Sequence, residues 1–311
     1  MIKLKFPLVS IIVVTYNSSR YVLESLESIK DQTYQNVELI ITDDCSLDNT
    51  VAICNNWVKE NKDRFARVKI ITANHNTGIP SNCNRGAKKS HGEWIKLIAG
   101  DDILLKSCIE DNVKYIEDNP DAKFVVSELL EINDDGFFLK SDKAKREKDN
   151  RLKFFFNAKT AKKQLKAFAR WPVFLNAPTY FINRQLLKNI DYFDEDYRIF
   201  EDMPLIYRVT SNNVIIYFMN KPTVKYRIHD KAVSRKASNN NYRDKEVISV
   251  FKKYRVEHLS KFNLIDLSIY YELWLNYFWK GFKGHKGSKV LIKLSVFHWY
   301  SRYKIFKLKR F

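Results

Sequence analysis

The chain has 311 residues, a length that suits one large domain or two small ones around a proper hydrophobic core. Hydrophobic residues make up 45% and charged residues 29%, which is typical of a folded protein and excludes a disordered chain. The four cysteines form no C-x-x-C pair, so we expect free thiols in a reducing compartment rather than disulfides or a zinc site.

The net charge of +18 is concentrated near the end of the sequence. From Leu273 to Phe311 there are ten basic residues, no acidic residue and three tryptophans. Basic and aromatic residues together suit an anionic lipid surface, but a helical cap with a solvated basic side fits equally well, and both alternatives stay open. The sequence contains no run of 18 apolar residues, so we predict no transmembrane span. Residues 1–5 are not predicted to be a signal peptide.

Strands and helices alternate along the first hundred residues. The predicted strands are short apolar, β-branched runs at residues 9–14, 37–41, 68–71 and 94–98, and the segments between them predict helices at about 22–29, 50–61 and 82–90. This alternation predicts a doubly wound α/β sheet, with the first strand buried on both faces.

The pattern becomes less regular after residue 102. It predicts helices near 107–119 and 202–212, a tight turn at Asn133–Gly136, and strands at 123–132, 137–139, 180–182, 214–218 and 223–228. The basic stretch 140–170 predicts a loop followed by a helix, and residues from about 240 onward predict further helices.

Polar residues follow three of the predicted strands, at 15–17, 43–44 and 101–102. In open α/β sheets, ligands bind at the carboxyl ends of the strands. Neither a G-x-G-x-x-G nor a G-x-x-x-x-G-K-[ST] sequence follows any strand, so a dinucleotide site or a P-loop has little support. The carboxylates at these strand ends suit a divalent metal ion and the donor groups of a nucleotide.

Six motifs together resemble the inverting nucleotide-sugar glycosyltransferases of family 2. They are PLVSIIVVTYN (7–17), ITDDCSLD (41–48), the segment 76–84, GEWIKLIAGDD (92–102), FED (200–202) and YRIH (226–229). The resemblance implies the GT-A fold, a Rossmann-like and mostly parallel sheet flanked by helices. It covers about residues 7–235, so we expect a GT-A domain at 1–235 and a helical, basic and aromatic region at 236–311.

The resemblance implies a nucleotide site at the first strand ends. It places Tyr16 against the flat base, Thr15 near the polar edge of the base, and Asn17 in the same loop. Asp44 would accept a hydrogen bond from a base N–H, which favours the N3–H of uracil and therefore a UDP-sugar. Asp101 would face the ribose or the sugar.

The resemblance also implies a divalent metal ion, Mn²⁺ or Mg²⁺, bound by Asp102 and His229. A mixed carboxylate and imidazole site favours Mn²⁺ somewhat. Arg227 and Arg235 are candidate contacts to the diphosphate. The family often carries an arginine directly before the asparagine that matches Asn84. This chain has Cys83 at that position, which leaves a diphosphate contact there unsupported.

By the resemblance, Asp202 is the catalytic base that deprotonates the acceptor hydroxyl in an in-line displacement. Glu201 would raise the pKa of that base or orient the acceptor. Without the other motifs, two acidic residues at a helix start would be read simply as charges that complement the helix dipole.

These motifs predict a metal-dependent, inverting glycosyltransferase that moves one sugar from a UDP-sugar to a glycan or lipid-linked acceptor in surface polysaccharide synthesis. The Q-x-x-R-W motif of processive synthases is absent, which favours single transfers. We expect a cytoplasmic enzyme, peripheral on the inner face of the membrane if residues 273–311 bind lipid. A nucleotidyltransferase and, given the charge of +18, a nucleic-acid-binding protein are the alternatives.

Overall fold

The structure is a computed structural model that describes residues 6–271 except 140–150, 174, 231, 233–240, 261, 264 and 268. The chain divides into two compact units. Unit 1 joins Met1–Ser141 to Phe174–Arg243, and unit 2 joins Asp142–Val173 to Asp244–Phe311. The sequence did not predict that residues 142–173 group with the end of the chain. The domain boundary predicted at residue 235 lies outside the described residues and stays a prediction.

Strands and helices alternate through the first part of unit 1, as predicted. In chain order the elements are β1 (Val9–Thr15), α1 (Val22–Lys30), β2 (Val37–Asp43), α2 (Thr50–Asn61), β3 (Arg67–Thr72), α3 (Ile79–Ala87) and β4 (Trp94–Ala99). Each element overlaps the segment that its hydrophobic pattern predicted, with shifts of a few residues at the ends.

The remaining elements follow in the order β5 (Ile103–Leu104), α4 (Cys108–Asp118), β6 (Phe124–Ile132), α5 (Ala161–Arg170), β7 (Tyr180–Asn183), α6 (Arg184–Asn189), α7 (Asp202–Ser211), β8 (Tyr217–Arg227) and α8 (Asn241–Val250). Helix α5 belongs to unit 2. The two-residue strand β5 and the short helix α6 were not predicted from the sequence.

Eight strands form one sheet in the order β3-β2-β1-β4-β7-β6-β8-β5. The first four strands are mutually parallel, and their pairing aligns Thr15 with Asp43 and Val14 with Ala99. Strand β7 is antiparallel to both β4 and β6, while β6 and β8 are parallel. Strands β6 and β8 therefore run in the same direction as β1, and their carboxyl ends lie at the same edge of the sheet.

Strand β1 is buried on both faces. Ile11 and Val13 are fully buried in one apolar cluster with Leu26 of α1. On the other face, α3 approaches so closely that a Cβ added at Gly86 would lie 2.5 Å from Cγ2 of Ile12. Burying each such aliphatic side chain stabilises the fold by roughly 1.5–3 kcal/mol, and this two-sided burial confirms the prediction for the first strand.

Two strand predictions were wrong. The segments predicted as separate strands at 214–218 and 223–228 form the single strand β8. Pro222 pairs with Glu128 where the register between β6 and β8 shifts on both sides, and such an irregularity tolerates a residue without an N–H. The predicted strand at 137–139 is reduced to one isolated bridge between Phe138 and Ile132.

Unit 2 contains an ion pair and two further arginine hydrogen bonds at the end of α5. Nε of Arg170 lies 2.6 Å from Oδ1 of the buried Asp266, and Nη2 lies 3.1 Å from Oδ2. Arg255 donates to the backbone carbonyls of Ala169 and Arg170, which satisfies acceptors at the carboxyl end of α5. Among the described residues, no helix is long and apolar enough to cross a membrane. The basic stretch 273–311 lies outside the described residues.

Candidate active site

The loop after β1 is fastened to the loop after β2. The backbone N–H of Asn17 donates to Oγ of Ser46 at 2.8 Å, and the N–H of Leu47 donates to Oδ1 of Asn17 at 2.8 Å. Asn17 takes a φ of 51°, a backbone conformation that asparagine tolerates better than most residues. Between these fixed loops Tyr16 stays 45% exposed. An exposed ring at a strand end is available to stack on a flat ligand.

Thr15 is buried beneath this surface. Its hydroxyl donates to Oδ2 of Asp43 at 2.8 Å. Asp43 also accepts hydrogen bonds from the backbone N–H and the hydroxyl of Ser46. The structure thus places Thr15 and Asp43 where they hold the two loops together, and the predicted contact of Thr15 with the polar edge of a base stays a prediction.

Asp44 lies at the same edge and is also buried. Its carboxylate accepts from the N–H and hydroxyl of Thr77, from the N–H of Gly78 at 2.8 Å and from Nη2 of Arg85 at 3.2 Å. Both carboxylate oxygens therefore already have partners within the chain. A base N–H would have to share one of them, and the base-reading role of Asp44 stays a prediction.

The structure brings four predicted residues into direct contact. Oδ2 of Asp101 lies 2.9 Å from Nε2 of His229. The backbone N–H of Arg227 donates to Oδ1 of Asp102 at 2.9 Å, and Nε of Arg227 donates to the carbonyl of Asp101. The cause is the sheet itself, because the pairing of Ile103 on β5 with a residue of β8 lays the end of β8 beside residues 101–102.

Arg227 is almost completely buried, and its guanidinium joins three segments of the chain. Nη1 donates to the carbonyl of Asp134 at 2.7 Å, and Nη2 lies 2.7 Å from Oε2 of Glu24. The group also lies 4.8 Å from the ring centre of Tyr21. These contacts and the one to Asp101 use every nitrogen of the side chain, so Arg227 connects the surrounding segments through hydrogen bonds. Its predicted contact with a diphosphate stays a prediction.

Tyr21 and Asp134 were missed by the sequence reasoning. The ring of Tyr21 lies 4.8 Å from that of His229, its hydroxyl donates to Asp134, and Asp134 also pairs with Arg20 at 2.8 Å. Burial and this hydrogen bond raise the pKa of Tyr21 to about 12. The sequence at Asn133–Gly136 predicted a turn. It did not indicate that this turn would contact residues 20–21, more than one hundred positions away.

Two buried polar atoms at this edge have no partner within the described part of the chain. They are Oδ2 of Asp102 and Nδ1 of His229. Burial and the neighbouring Asp101 raise the pKa of Asp102 well above its usual value. The residues that the structure describes contain no group of three or more His, Cys, Asp or Glu side chains placed to hold a metal ion. The site therefore offers single unsatisfied ligand atoms rather than a complete coordination shell.

Glu201 and Asp202 stand at the start of α7, as predicted. Oδ1 of Asp202 accepts from the N–H of Met203 at 2.7 Å. Burial and the adjacent Asp202 raise the pKa of Glu201 to about 8. Burial first, and then Asp202 and Glu201, raise the pKa of Tyr180 well above its usual value. Because β7 is antiparallel to β4, its first residue Tyr180 lies toward the carboxyl end of β4, which brings the acidic pair to the same edge.

The segment before α7 is anchored to the loop that binds Asp44. The N–H of Ile79 donates to the carbonyl of Arg198 at 2.8 Å, and Nη2 of Arg198 donates to Oδ1 of Asn76 at 2.7 Å. Gly78, with a φ of 98°, allows this approach, since a Cβ there would lie 2.8 Å from the backbone of Arg198. Arg235, the remaining predicted contact, lies outside the described residues.

An exposed tyrosine, two carboxylates beside an imidazole, and a second acidic pair at a helix start thus share one edge of a mixed α/β sheet. A mixed α/β sheet with polar strand ends is the architecture predicted for the GT-A class. The match of the family model for glycosyl transferase family 2 to residues 10–191 agrees with it. The chain belongs to glycosyl transferase family 2.

Curated relatives support the same assignment. The chain is 32% identical over 132 residues to the glycosyltransferase GlyG of Streptococcus pneumoniae, and this alignment covers 42% of each protein. It is 28% identical over 227 residues to an uncharacterized glycosyltransferase of Methanocaldococcus jannaschii, with 72% of each protein covered. The chain therefore spans less than half of the length of GlyG.

Solved structures show the same fold. The crystal structure of S. aureus TarS 1–349 in complex with UDP-GlcNAc matches with a TM-score of 0.63 and 20% identity, covering 92% of this chain and 76% of that one. This likeness confirms the predicted GT-A architecture of the sheet.

Proposed function

We propose that this protein transfers one sugar from a UDP-sugar, with inversion, to a hydroxyl of a glycan or lipid-linked acceptor in bacterial surface polysaccharide synthesis. The observation that carries the proposal is the acidic pair at the start of α7. Glu201, with a pKa of about 8, keeps its proton at neutral pH. Asp202 is then the carboxylate of the pair that is available to accept a proton.

Asp202 acts as the general base in this proposal. It removes the proton of the acceptor hydroxyl while the acceptor oxygen bonds to the anomeric carbon of the donor sugar and the bond from that carbon to the diphosphate breaks. The proton ends on Asp202, and the electron pair of the broken bond leaves on the diphosphate. Protonated Glu201 can donate a hydrogen bond to the acceptor and thereby orient it.

The donor nucleotide is proposed to lie at the ends of β1, β2 and β4. Tyr16 supplies an exposed ring for the base, and Asn17 holds that loop in place. Thr15 and Asp44 line the floor of the same edge, and Asp101 faces the ribose or sugar. TarS, a protein of similar fold, was solved in complex with UDP and with UDP-GlcNAc. These complexes support a uridine nucleotide as the donor of this protein.

A divalent ion, Mn²⁺ or Mg²⁺, is proposed to bind through Asp102 and His229. The unsatisfied Oδ2 of Asp102 and Nδ1 of His229 are suitable ligand atoms. When bound there, such an ion would neutralise negative charge on the diphosphate leaving group. Arg227 fixes Asp101 and Asp102 in place, and Arg235 is a further candidate contact to the diphosphate.

The acceptor and the cellular location extend the proposal further. The minor teichoic acid biosynthesis protein GgaB of Bacillus subtilis is 24% identical over 265 residues, covering 83% of this chain and 26% of that protein. This relative supports an acceptor that belongs to a surface polymer. Residues 273–311, basic and rich in tryptophan, are proposed to bind the inner face of the membrane, where a lipid-linked acceptor would be found.

Thermal shift with a panel of nucleotide-sugars tests the donor site. We expect UDP-sugars with Mn²⁺ to raise the melting temperature more than GDP-, CMP- or dTDP-sugars, because a ligand that binds only the folded state adds about 2.7 kcal/mol at a hundredfold excess over Kd. EDTA should abolish the shift. A shift that is equal for all nucleotides would contradict uridine recognition, and a shift unaffected by EDTA would contradict the metal site.

A further inference from the structure

Unit 2 carries the entire net charge of the protein. Its residues, Asp142–Val173 and Asp244–Phe311, include 26 basic and 8 acidic side chains, a net charge of +18. Unit 1 holds 28 basic and 28 acidic side chains and is neutral. The charge is therefore not confined to the end of the chain, because Asp142–Val173 alone contributes 11 basic and 3 acidic residues.

Helix α5 has a buried, mostly apolar side and an exposed, basic side. The residues of α5 that are buried include Ala161, Gln164, Ala167, Phe168 and Ala169. On the opposite side, Lys162, Lys163 and Lys166 are exposed. The helix start is capped, since the hydroxyl of Thr160 accepts from the N–H of Lys163. The lysines are thus presented on an ordered helix with its apolar side already covered.

Three more exposed basic residues precede the helix. Together with the three lysines of α5 they are called the α5 basic face here, which comprises Arg151, Lys153, Lys159, Lys162, Lys163 and Lys166. The sequence contains no acidic residue from 150 to 190. Within the residues that the structure describes, none of these six side chains forms an ion pair. Exposed cations with no counter-charge among the described residues attract an anionic partner.

Aromatic side chains accompany the cations. Phe154, which directly follows Lys153, is 38% exposed, and its ring packs edge to face against that of Trp171 with 4.9 Å between the ring centroids. Aromatic rings next to Lys and Arg are typical of the boundary between lipid headgroups and acyl chains. A binding surface for a soluble anion needs no exposed phenylalanine, so this combination favours a bilayer.

We propose that the α5 basic face binds the phosphate headgroups of an anionic lipid bilayer. The proposal rests on the membrane contact in the function proposed above, and it adds a second contact that is independent of residues 273–311. Lipid phosphates pair with the lysines, and Phe154 lies at the interfacial layer.

Vesicle flotation of the full-length protein tests this contact. The variant Lys162→Gln/Lys163→Gln/Lys166→Gln keeps good helix formers and removes three charges from α5. Its matched control, Lys59→Gln/Lys62→Gln/Lys114→Gln, removes three exposed lysines that belong to unit 1. On vesicles of phosphatidylcholine with phosphatidylglycerol, we expect the α5 variant to lose binding by about fivefold per lysine, roughly a hundredfold in all. The control should bind like the wild type, and pure phosphatidylcholine should bind neither.

Several outcomes would overturn the proposal. Equal losses in the α5 variant and the control would show an effect of net charge alone. Wild-type binding to soluble polyphosphate but not to anionic vesicles would assign the face to a polyanionic polymer instead. If the α5 variant melts at a lower temperature, Lys153→Gln/Lys159→Gln outside the helix serves in its place, with an expected loss on the order of 20-fold.

Activity separates this proposal from the proposed function. Neither variant alters a residue assigned to the active site, so both should turn over a UDP-sugar with a short soluble acceptor at the wild-type rate. Normal turnover with unchanged vesicle binding in the α5 variant contradicts only the lipid contact. Absence of turnover in the wild type, with vesicle binding lost in the α5 variant, contradicts only the proposed sugar transfer.

Discussion

At the scale of single residues, the proposed proton transfer depends on Glu201 and Asp202. Burial and the adjacent carboxylate raise the pKa of Glu201 to about 8, so the proton on Glu201 is retained near pH 7. A neutral Glu201 lets Asp202 act without a second negative charge beside the acceptor. The sequence indicated both positions, but burial of Glu201 depends on packing that no local pattern reveals.

Asp202→Asn should abolish most sugar transfer while leaving donor binding intact. The amide cannot accept the proton of the acceptor hydroxyl, and loss of a general base typically costs roughly 10²–10⁴-fold in rate. The measurement is turnover together with the thermal shift given by UDP-sugar. Asp191→Asn is the matched control, because Asp191 is exposed and its φ of 58° suits asparagine. Near-normal turnover of Asp202→Asn would remove Asp202 from its role.

Stability should decline with rising pH because of Glu201. The folded state holds this proton up to about pH 8, whereas the unfolded chain releases it near the ordinary pKa of 4.5. The stabilisation is therefore complete below pH 4.5, declines between 4.5 and 8, and is absent above 8. Chemical denaturation should show the free energy of unfolding of the wild type falling relative to Glu201→Gln over this range. A constant difference between the two proteins would contradict the raised pKa.

Arg227→Lys should reduce both stability and metal-dependent UDP binding. Lysine cannot reach the carbonyls of Asp101 and Asp134 and the carboxylate of Glu24 together, and losing two such bonds costs about 2–4 kcal/mol. Arg64→Lys is the control, since Arg64 also bonds several backbone carbonyls, among them those of Lys30 and Gln32. It should lower the melting temperature but leave UDP binding unchanged once folded. Equal binding defects in both variants would show that Arg227 has no special effect on the site.

At the scale of elements, the close approach of two loops positions α7. Gly78→Ala should destabilise the protein by about 1–3 kcal/mol or more, because its Cβ would lie 2.8 Å from the backbone of Arg198. Gly136→Ala is the control, with a similar positive φ of 89° and no atom within 4 Å of the added Cβ. The measurement is the free energy of unfolding of both variants. If the two substitutions cost the same, the contact with Arg198 imposes no constraint.

Most strands could be predicted because their burial leaves a direct mark on the sequence. Strand β1 is an uninterrupted apolar run, and it is covered on both faces as that run implies. Strand β8 was divided in two because Pro222 is a turn signal in any local reading. Only the partner strand reveals that this proline occupies a register shift. The two residues of β5 are too few to carry any period, so their pairing with β8 could not be predicted.

The sequence predicted which candidate residues stand at strand ends, but it did not predict their contacts. Strand ends indicated Tyr16, Asp44, Asp101 and Asp102, since ligands bind at carboxyl edges. The partners of Asp44 come from residues 77–85, and Arg227 contacts residues in the first helix and in the turn after β6. Such contacts depend on the topology of the whole sheet, which a periodic pattern does not contain.

At the scale of the whole molecule, the two units differ in net charge. Neutral unit 1 contains every described residue that is assigned to the active site, and unit 2 contains the full charge of +18. We therefore expect ionic strength to affect membrane binding much more than donor binding, because screening weakens exposed charges at a surface. Measuring both equilibria at low and high salt checks this. A parallel loss of the two would show that the charge of unit 2 also serves the donor.

The most direct test of sugar transfer is the chemical identity of the released nucleotide. Purified full-length protein is incubated with a UDP-sugar, Mn²⁺ and a short acceptor glycan, and the products are separated by chromatography and mass spectrometry. We predict free UDP and an acceptor enlarged by one sugar of inverted anomeric configuration, with both products nearly absent for Asp202→Asn. Release of pyrophosphate, or an acceptor that gains several sugars or a sugar of retained configuration, would contradict a single inverting transfer.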